Sequence, residues 1–244
     1  MKPATEIKHY VPKTYLKEKL NLSFTLLCWN VYKKSHKAKQ AGYLSELLTE
    51  NPSDLVLFQE TNFLKENQKV LKGYEQYYFS NLTFKHKSYG LLNASNVSSI
   101  HVEHLTSFYR EFFFRTHKAF LSSLYPLEGE NLLVINVHAI NFRRAHVFKK
   151  EIERLRLFAL NHKGPLIIAG DFNTWNKRRL LFLYDMVRQL KLKQVKCQQS
   201  HLIKKFLKYP LDHVFYRGLK VEEAYVLNCQ EYSDHNPLFV KFNL

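Results

Sequence analysis

The 244-residue chain has little glycine, proline or cysteine: seven glycines, seven prolines and three cysteines. So few glycines and prolines exclude a collagen-like or low-complexity chain. Cys28, Cys197 and Cys229 lie far apart and form no CxxC pair, so we expect neither a disulfide framework nor a cysteine zinc site. Free thiols are typical of a reducing compartment, although one disulfide with a spare cysteine is an alternative.

Long apolar runs are also absent. Stretches such as residues 55–58 and 132–135 have the length of a strand and are far shorter than the ~20 residues of a membrane span. Charged residues interrupt the apolar positions of the first 20 residues, so we predict no Sec-type signal peptide. We therefore expect a soluble, cytoplasmic monomer without a transmembrane segment, with export by another route left open.

Acidic residues are scarce relative to basic ones. The chain has 37 Lys and Arg against 21 Asp and Glu, which gives a formal net charge of +16. A surplus of this size favours a polyanionic partner, either nucleic acid or an anionic lipid surface.

The arrangement of apolar residues predicts an α/β protein. Ten runs of strand length and composition occupy residues 22–31, 54–60, 88–95, 98–106, 119–125, 132–140, 166–170, 211–216, 224–228 and 238–242. Three helical stretches occupy residues 40–49, 145–161 and 178–190. Many strands with intermittent helices favour two packed sheets flanked by helices. We predict a basic tail over residues 1–20, one domain over residues 21–244, and an irregular basic loop over residues 191–209.

Polar residues capable of binding a metal follow several of the predicted strands. The chain has only five aspartates, and three of them lie beside Asn or His at a strand end. The strand ends present Asn30, Glu60, His138, Asp171 with Asn173, Asp212, and Asp234 with His235. Carboxylates, amides and histidines without thiolates suit a hard cation such as Mg²⁺ or Mn²⁺.

Each of these positions, taken singly, also has a structural interpretation. Residues 170–173 read as a common turn, because Gly, Asp and Asn all favour turns. His138 could be a hydrogen-bonded core histidine, and Asp234 could form an Asx-turn before the last strand. Their recurrence at six strand ends in one chain favours a functional site instead.

The order of these motifs resembles the endonuclease/exonuclease/phosphatase superfamily, which has the DNase I-like fold. The matching motifs are Cys28-Trp-Asn-Val31, Leu57-Phe-Gln-Glu60, Asn136-Val-His138, Gly170-Asp-Phe-Asn173, Leu211-Asp-His-Val-Phe215 and Ser233-Asp-His-Asn-Pro237. The chain looks most similar to a bacterial subgroup that shares residues 136–141 and 212–218. The resemblance implies a four-layered α/β/β/α sandwich and metal-dependent phosphoester hydrolysis.

The resemblance also implies which residues hold the metal and which react. Glu60, together with Asn30, would hold Mg²⁺ or Mn²⁺ near the phosphate, where the cation acts as a Lewis acid. Asp234 would supply a second metal contact or support the site.

Five further residues would carry the reaction. His235 would be the general base, oriented and made more basic by Asp212. Asp171 would position or deprotonate the attacking water, and Asn173 would steady the phosphoryl oxygens. His138 would stabilise developing negative charge or protonate the leaving group. The choice of base between histidine and aspartate stays open.

Two comparisons within the superfamily narrow the implied substrate. The abasic-site endonuclease branch has a tyrosine arrangement at the position that resembles His138 of this chain. Abasic-site cleavage is therefore disfavoured. The inositol polyphosphate 5-phosphatases have the motif Trp-Cys-Asp-Arg at the position that resembles Asp212 of this chain. This chain reads Tyr209-Pro-Leu-Asp-His213 there, which weakens a phosphoinositide substrate.

Basic residues follow three of the motifs closely, and Trp175 adds an aromatic ring. The candidate substrate-binding residues are Lys118, Arg143, Arg144, Trp175, Lys177 and Arg178. Lys118 could equally be a plain surface lysine, and Trp175 a packing residue. A basic rim would bind polyphosphate, and a tryptophan can stack on a base.

We therefore expect a Mg²⁺- or Mn²⁺-dependent phosphodiesterase that acts on DNA or RNA. One alternative is the same chemistry on a phospholipid or inositol head group, with an anionic lipid as partner. Against it, the sequence shows no exposed apolar hairpin that would enter a bilayer. The second alternative, a binding protein without catalysis, does not require Glu60 or the pair of Asp212 with His235.

Overall fold

The computed structural model describes residues 7–32, 38–63, 71–84, 87–110, 117–141 and 143–244. Within these residues the strands, numbered along the chain, form two main sheets. The first contains β1 (Ile7–Tyr10), β2 (Ser23–Asn30), β3 (Leu55–Phe63), β4 (Glu75–Phe84), β5 (Lys87–Ser95), β14 (Lys220–Val226) and β15 (Leu238–Asn243), in the order β1-β4-β5-β3-β2-β15-β14.

The second sheet contains β6 (His101–Arg110), β7 (His117–Leu127), β8 (Glu130–His138), β9 (Leu166–Asp171), β10 (Lys193–Gln194) and β13 (Asp212–Arg217), in the order β10-β13-β9-β8-β7-β6. A small separate hairpin consists of β11 (Lys205–Phe206) and β12 (Tyr209–Pro210). The helices of the described residues are α1 (Ala38–Glu50), α2 (Ala145–Leu160) and α3 (Lys177–Gln189), with a short 3-10 helix at Ser200–Leu202.

The two sheets pack face to face and helices cover their outer faces. Leu26 and Leu57 of the first sheet belong to the same buried apolar cluster as Val134, Ile167 and Val214 of the second. The α1 helix packs on the first sheet, and α2 with α3 on the second, through two further buried clusters. The four-layered α/β/β/α sandwich predicted from the sequence is therefore confirmed.

A buried amide fixes the two sheets against each other. Asn136 of β8 donates from Nδ2 to the carbonyl oxygens of Phe58 and Leu92 in the first sheet, both at 3.1 Å. Its Oδ1 accepts from Gln59 Nε2 at 2.7 Å. Because a buried polar group is costly unless it is hydrogen-bonded, this network favours one relative position of the sheets.

The structure differs from the sequence prediction at the start of the chain. β1 pairs with β4 at the sheet edge, and Leu20 is buried. From residue 7 onward, the segment expected to be a basic tail is therefore part of the folded domain. β4 was also missed, and the expected loop over residues 191–209 contains β10, the 3-10 helix, β11 and part of β12.

No helix among the described residues is long and apolar enough to cross a membrane.

Candidate active site

Three of the predicted catalytic residues lie side by side at one end of the second sheet. The strand register pairs His138 with Asp171 and Asp171 with Asp212. Side chains alternate between the two faces of a strand, so residues paired in this way share a face. Asn136 lies two residues before His138 and faces the space between the sheets. The three residues, which we call the site row, therefore open into that space.

His235 completes this arrangement from the loop before β15. Its Nδ1 lies 2.8 Å and 3.0 Å from the two carboxylate oxygens of Asp212. Asp171 Oδ2 lies 4.0 Å from His235 Nε2 and 3.7 Å from His138 Nε2. All four side chains are buried, so their charges interact with little screening by water.

The first sheet contributes Asn30 and Glu60 to the same space. Asn30 donates from Nδ2 to Asp171 Oδ2 at 3.1 Å, and its Oδ1 accepts from the backbone N–H of Tyr32 at 3.0 Å. Glu60 Oε1 lies 3.6 Å from His138 Nε2. The site is thus built across the two sheets, with one ring of polar atoms from both.

A backbone irregularity directs Glu60 into the site. Gln59 points between the sheets, where it bonds Asn136, so regular alternation would turn Glu60 to the outer face. The pairing of β3 with β5 shifts between Phe58 and Thr61, and Glu60 has a φ of 54°. A bulge of this kind re-aims a side chain, and a left-handed glutamate is uncommon.

The loop that carries His235 is held by hydrogen bonds to the end of β2. Ser233 Oγ donates to the carbonyl oxygen of Asn30 at 2.7 Å and accepts the backbone N–H of His235 at 3.2 Å. The indole N–H of Trp29 donates to the carbonyl oxygen of His235 at 2.8 Å. Together these bonds fix the imidazole relative to the first sheet.

The protonation of His235 follows from its two acidic neighbours. Burial alone disfavours the imidazolium, but the charge and hydrogen bond of Asp212 and the charge of Asp171 outweigh it. Together they raise the pKa of His235 to about 9. The protein side chains by themselves therefore hold His235 in its charged form at neutral pH.

Asn173 follows β9 in a tight turn. Its backbone N–H donates to Asp171 Oδ1 at 2.9 Å, and its Nδ2 donates to the carbonyl oxygen of Ala139 at 3.1 Å. Gly170, the residue before Asp171, lets β9 approach β8 closely, because a Cβ there would lie 2.0 Å from the carbonyl oxygen of Val137. The turn thus orients Asp171 and joins the ends of β8 and β9.

The donors gathered here fit a hard divalent cation. Ligand atoms of Asp171, Asp212 and His235 all lie within 4.8 Å of one another. Glu60 Oε1 borders the same cluster beside His138, and the amide of Asn30 reaches Asp171 through its Nδ2. Carboxylate and amide oxygens without thiolates match the preference of Mg²⁺ and Mn²⁺.

Asp234, the third predicted metal ligand, lies at the rim of the site. Its side chain is 45% exposed and forms an ion pair with Lys204. Its Oδ1 lies 4.0 Å from His235 Nε2. This position places Asp234 beside the site row without joining the cluster of possible ligands formed by Asp171, Asp212 and His235.

The predicted substrate-binding residues surround this end of the sheets. Arg144 precedes α2 and is exposed, Arg143 is half-buried, and Lys177 and Arg178 are exposed in the first turn of α3. Lys118 precedes Ala119, which pairs with His138, but its side chain lies outside the described residues.

Sequence reasoning missed one residue that supports the site. Arg179 is fully buried and donates to the carbonyl oxygens of Ile140, Asn173 and Arg143 at 2.7–3.0 Å. Its guanidinium lies 4.7 Å from the ring centroid of Trp175. Arg179 therefore ties together the turns that follow β8 and β9.

A sequence signal for Arg179 exists in α3. It precedes the buried Leu183 and Met186 by four and seven residues, which places all three on one face of the helix.

Comparisons with known proteins agree with this architecture. The model of the Endonuclease/Exonuclease/phosphatase family matches residues 27–235. A UPF0294 protein of Erwinia tasmaniensis is 34% identical over 230 residues, which cover 90% of this chain and 81% of the relative.

Two solved structures share the fold. An endonuclease/exonuclease/phosphatase family protein of Leptotrichia buccalis has a TM-score of 0.69 at 18% identity, covering 91% of this chain and all of that one. The D. rerio TDP2 complexed with single strand DNA product has a TM-score of 0.66 at 14% identity, covering 91% and 99%. At these identities the structures establish the fold alone.

Proposed function

Because the chain belongs to the Endonuclease/Exonuclease/phosphatase family, we propose that it is a divalent-metal-dependent phosphodiester hydrolase that acts on DNA or RNA. The observation that carries the proposal is that the buried site row of His138, Asp171 and Asp212 converges with His235 at one end of the sheets. A purely structural role would not require two histidines and two carboxylates to meet here.

The residues would divide the work by the hydrogen bonds they already make. Asp171 is oriented by Asn30 and by the backbone of Asn173, and its carboxylate accepts a proton from the attacking water. The charged imidazole of His235 carries two protons. The proton on Nδ1 bonds Asp212, and the proton on Nε2 is on the side that faces Asp171. From Nε2 it donates to a phosphoryl oxygen and stabilises the negative charge of the transition state.

His138 would act on the leaving group. Its Nε2 lies between the carboxylates of Glu60 and Asp171, within 3.7 Å of each, and can donate a proton to the departing oxygen. A cation held by Glu60 and Asn30, beside Asp171, would supply Lewis-acid chemistry by neutralising phosphate charge.

The positive charge of the chain supports nucleic acid as the substrate class. The net charge is +16, and Arg144, Lys177 and Arg178 are exposed around the site. A groove of this sign attracts a polyphosphate backbone. Among proteins with this fold, TDP2 of D. rerio has been solved with a single strand DNA product.

A lipid or inositol head group is the second candidate, and one observation favours it. We expected no exposed apolar hairpin that would enter a bilayer, yet the β11–β12 hairpin exposes two apolar side chains: Phe206 is 55% exposed and Leu207 83% exposed. The sequence did not indicate this hairpin, because two-residue strands leave no periodic pattern. Apolar side chains flanked by lysines are a feature of membrane-bound surfaces.

The test is nicking of supercoiled plasmid by the purified protein with Mg²⁺ or Mn²⁺, against EDTA. We expect metal-dependent nicking that is lost in Asp171→Ala and His235→Ala and kept in two matched controls, Asp185→Ala and His146→Ala, whose residues are exposed or half-exposed on helices. Hydrolysis of bis-p-nitrophenyl phosphate without nicking would keep the chemistry and reject nucleic acid. Absence of both activities in folded protein would overturn the proposal.

A further inference from the structure

The β11–β12 hairpin projects a short apolar tip with basic neighbours. Lys205 pairs with Pro210 and Phe206 with Tyr209, which leaves Leu207 and Lys208 as the turn. Leu207 has a left-handed φ of 56° and is the more exposed of the two apolar residues. These apolar side chains stay exposed in the folded protein, so the tip is available to a partner.

The hairpin is anchored to the walls of the candidate active site. Thr174, which follows Asn173, donates from Oγ1 to the carbonyl oxygen of Pro210. At the other strand, Lys204 forms its ion pair with Asp234, the neighbour of His235. β12 leads through one residue into Asp212. The base of the hairpin is therefore fixed beside the walls of the candidate site.

An aromatic and cationic layer extends from the protein interior to this tip. The buried guanidinium of Arg179 packs on the ring of Trp175, 4.7 Å from its centroid. Trp175 in turn contacts Phe206 edge to face, with ring centroids 6.3 Å apart and planes at 73°. The indole N–H of Trp175 has no acceptor within the part of the chain described here. Ring contacts, rather than a hydrogen bond of the indole, hold this layer in place.

The charge around the layer is positive. Lys205 and Lys208 are exposed on the hairpin, and Lys177 and Arg178 are exposed at the start of α3, directly after Trp175 and its neighbour. Single-stranded nucleic acid binds to surfaces that combine accessible aromatic rings with positive charge.

We propose that Trp175 and the β11–β12 hairpin form a stacking rim for an unpaired nucleic-acid strand beside the scissile phosphate. This inference rests on the proposed function and specifies its substrate. A base stacks on Phe206 next to Leu207, and Lys205 and Lys208 contact the neighbouring phosphates. Duplex DNA keeps its base faces covered, so it gains only the phosphate contacts.

The aromatic contact favours this occupant over a membrane. The ring of Phe206 packs against Trp175, which leaves Leu207 as the more exposed apolar side chain of the tip. An interfacial anchor depends on the total apolar area that it buries, which is small for one leucine.

The test compares binding of dye-labelled oligo-dT with binding of a duplex of the same length, in the presence of EDTA, so that neither DNA is cut during the measurement. We expect Phe206→Ala to weaken oligo-dT binding about tenfold, with little change in the affinity for the duplex. Tyr15→Ala is the matched control, because Tyr15 is 84% exposed and its segment lies at the opposite end of the sheets. It should change neither.

Other outcomes would overturn the rim and are distinguishable from failure of the enzyme. Equal oligo-dT affinity of wild type and Phe206→Ala contradicts it. The proposal is also contradicted if the protein cosediments with phosphatidylserine-containing vesicles and Leu207→Ala abolishes this cosedimentation without affecting oligo-dT binding. Failure of the wild type to hydrolyse bis-p-nitrophenyl phosphate would instead reject the proposed function, while the binding comparison would still decide whether the strand binds.

Discussion

Strand β13 carries two polar clusters on its opposite faces, one residue apart. Asp212 faces the other sheet and holds His235, whose pKa is raised to about 9. His213 faces the helices and contacts Thr174, Gln194 and the carbonyl oxygen of Pro210. Burial lowers the pKa of His213 to about 4, against the smaller opposing effect of the Asp212 charge.

The difference lies in what each histidine faces. His235 meets carboxylates, which stabilise its charged form. His213 meets neutral groups and aromatic rings, and Gln194 Nε2 donates to its Nδ1 at 3.1 Å, which suits a neutral imidazole. The same sheet thus presents the proposed reactive groups on one face and a structural hydrogen-bond cluster on the other.

The largest effect is expected from Asp212→Asn, which removes the carboxylate that pairs with His235. We predict a fall in kcat of about 10²–10⁴-fold, because His235 loses the partner that orients and charges it. The NMR titration of His235 should move below its value of about 9 in the same variant. Asp185→Asn is the control, and a folded Asp212→Asn with wild-type kcat would contradict the assignment.

On the helix face, Arg179→Met should mainly affect stability. It removes the donor of three carbonyl oxygens, so the free energy of unfolding should fall by about 3 kcal/mol, measured by urea denaturation. The exposed neighbour provides the control: Arg178→Met should change it by less than about 0.5 kcal/mol. Equal urea midpoints for the two variants would show that Arg179 does not hold the turns.

The pH dependence of stability separates the two histidines. In protein kept free of divalent cations, His213 binds its proton only near pH 4 when folded but at its ordinary value of 6.5 when unfolded. The contribution of His213 to the free energy of unfolding is therefore complete above pH 6.5. It falls by about 1.4 kcal/mol per pH unit as the pH drops toward 4. His213→Gln should flatten this acid limb, which urea titrations at several pH values would measure.

His235 should give the opposite slope. Its folded pKa lies above the unfolded value of 6.5, so its contribution is complete below pH 6.5 and is lost as the pH rises through about 9. A His235→Gln variant that kept the wild-type loss of stability on the alkaline side would contradict the pairing with Asp212.

The smallest effect is expected at the rim. Lys204→Met breaks the ion pair with Asp234, which is partly exposed, so we predict a loss of less than about 1 kcal/mol and unchanged hydrolysis of bis-p-nitrophenyl phosphate. A loss as large as that of Arg179→Met would mean that the pair anchors the hairpin more strongly than its exposure indicates.

The site row could be predicted from the sequence because its residues lie at the first or last position of a strand. His138 and Asp171 each follow a continuous apolar run, and Asp212 begins one, so the topology alone brings them to one end of the sheet. Two packed sheets flanked by helices followed from the same runs, and the four-layered sandwich followed from the resemblance to the superfamily. These features depend on hydrophobic patterning, which the sequence displays directly.

Other features depend on tertiary contacts that leave no local pattern. The bulge that turns Glu60 into the site is set by the pairing of β3 with β5. The burial of Arg179 depends on the carbonyl groups of two distant turns, while its neighbours Lys177 and Arg178 are exposed. Leu207 adopts a left-handed turn that sequence rules assign to glycine or asparagine, so the hairpin was not expected.

The most direct test of this account measures hydrolysis of bis-p-nitrophenyl phosphate with Mn²⁺ by the wild type, Asp171→Asn and His213→Gln in parallel. We predict that hydrolysis is abolished by EDTA and in Asp171→Asn and persists in folded His213→Gln, because Asp171 lies on the face with the proposed reactive groups and His213 on the face with the structural cluster. Wild-type turnover by a folded Asp171→Asn would contradict it.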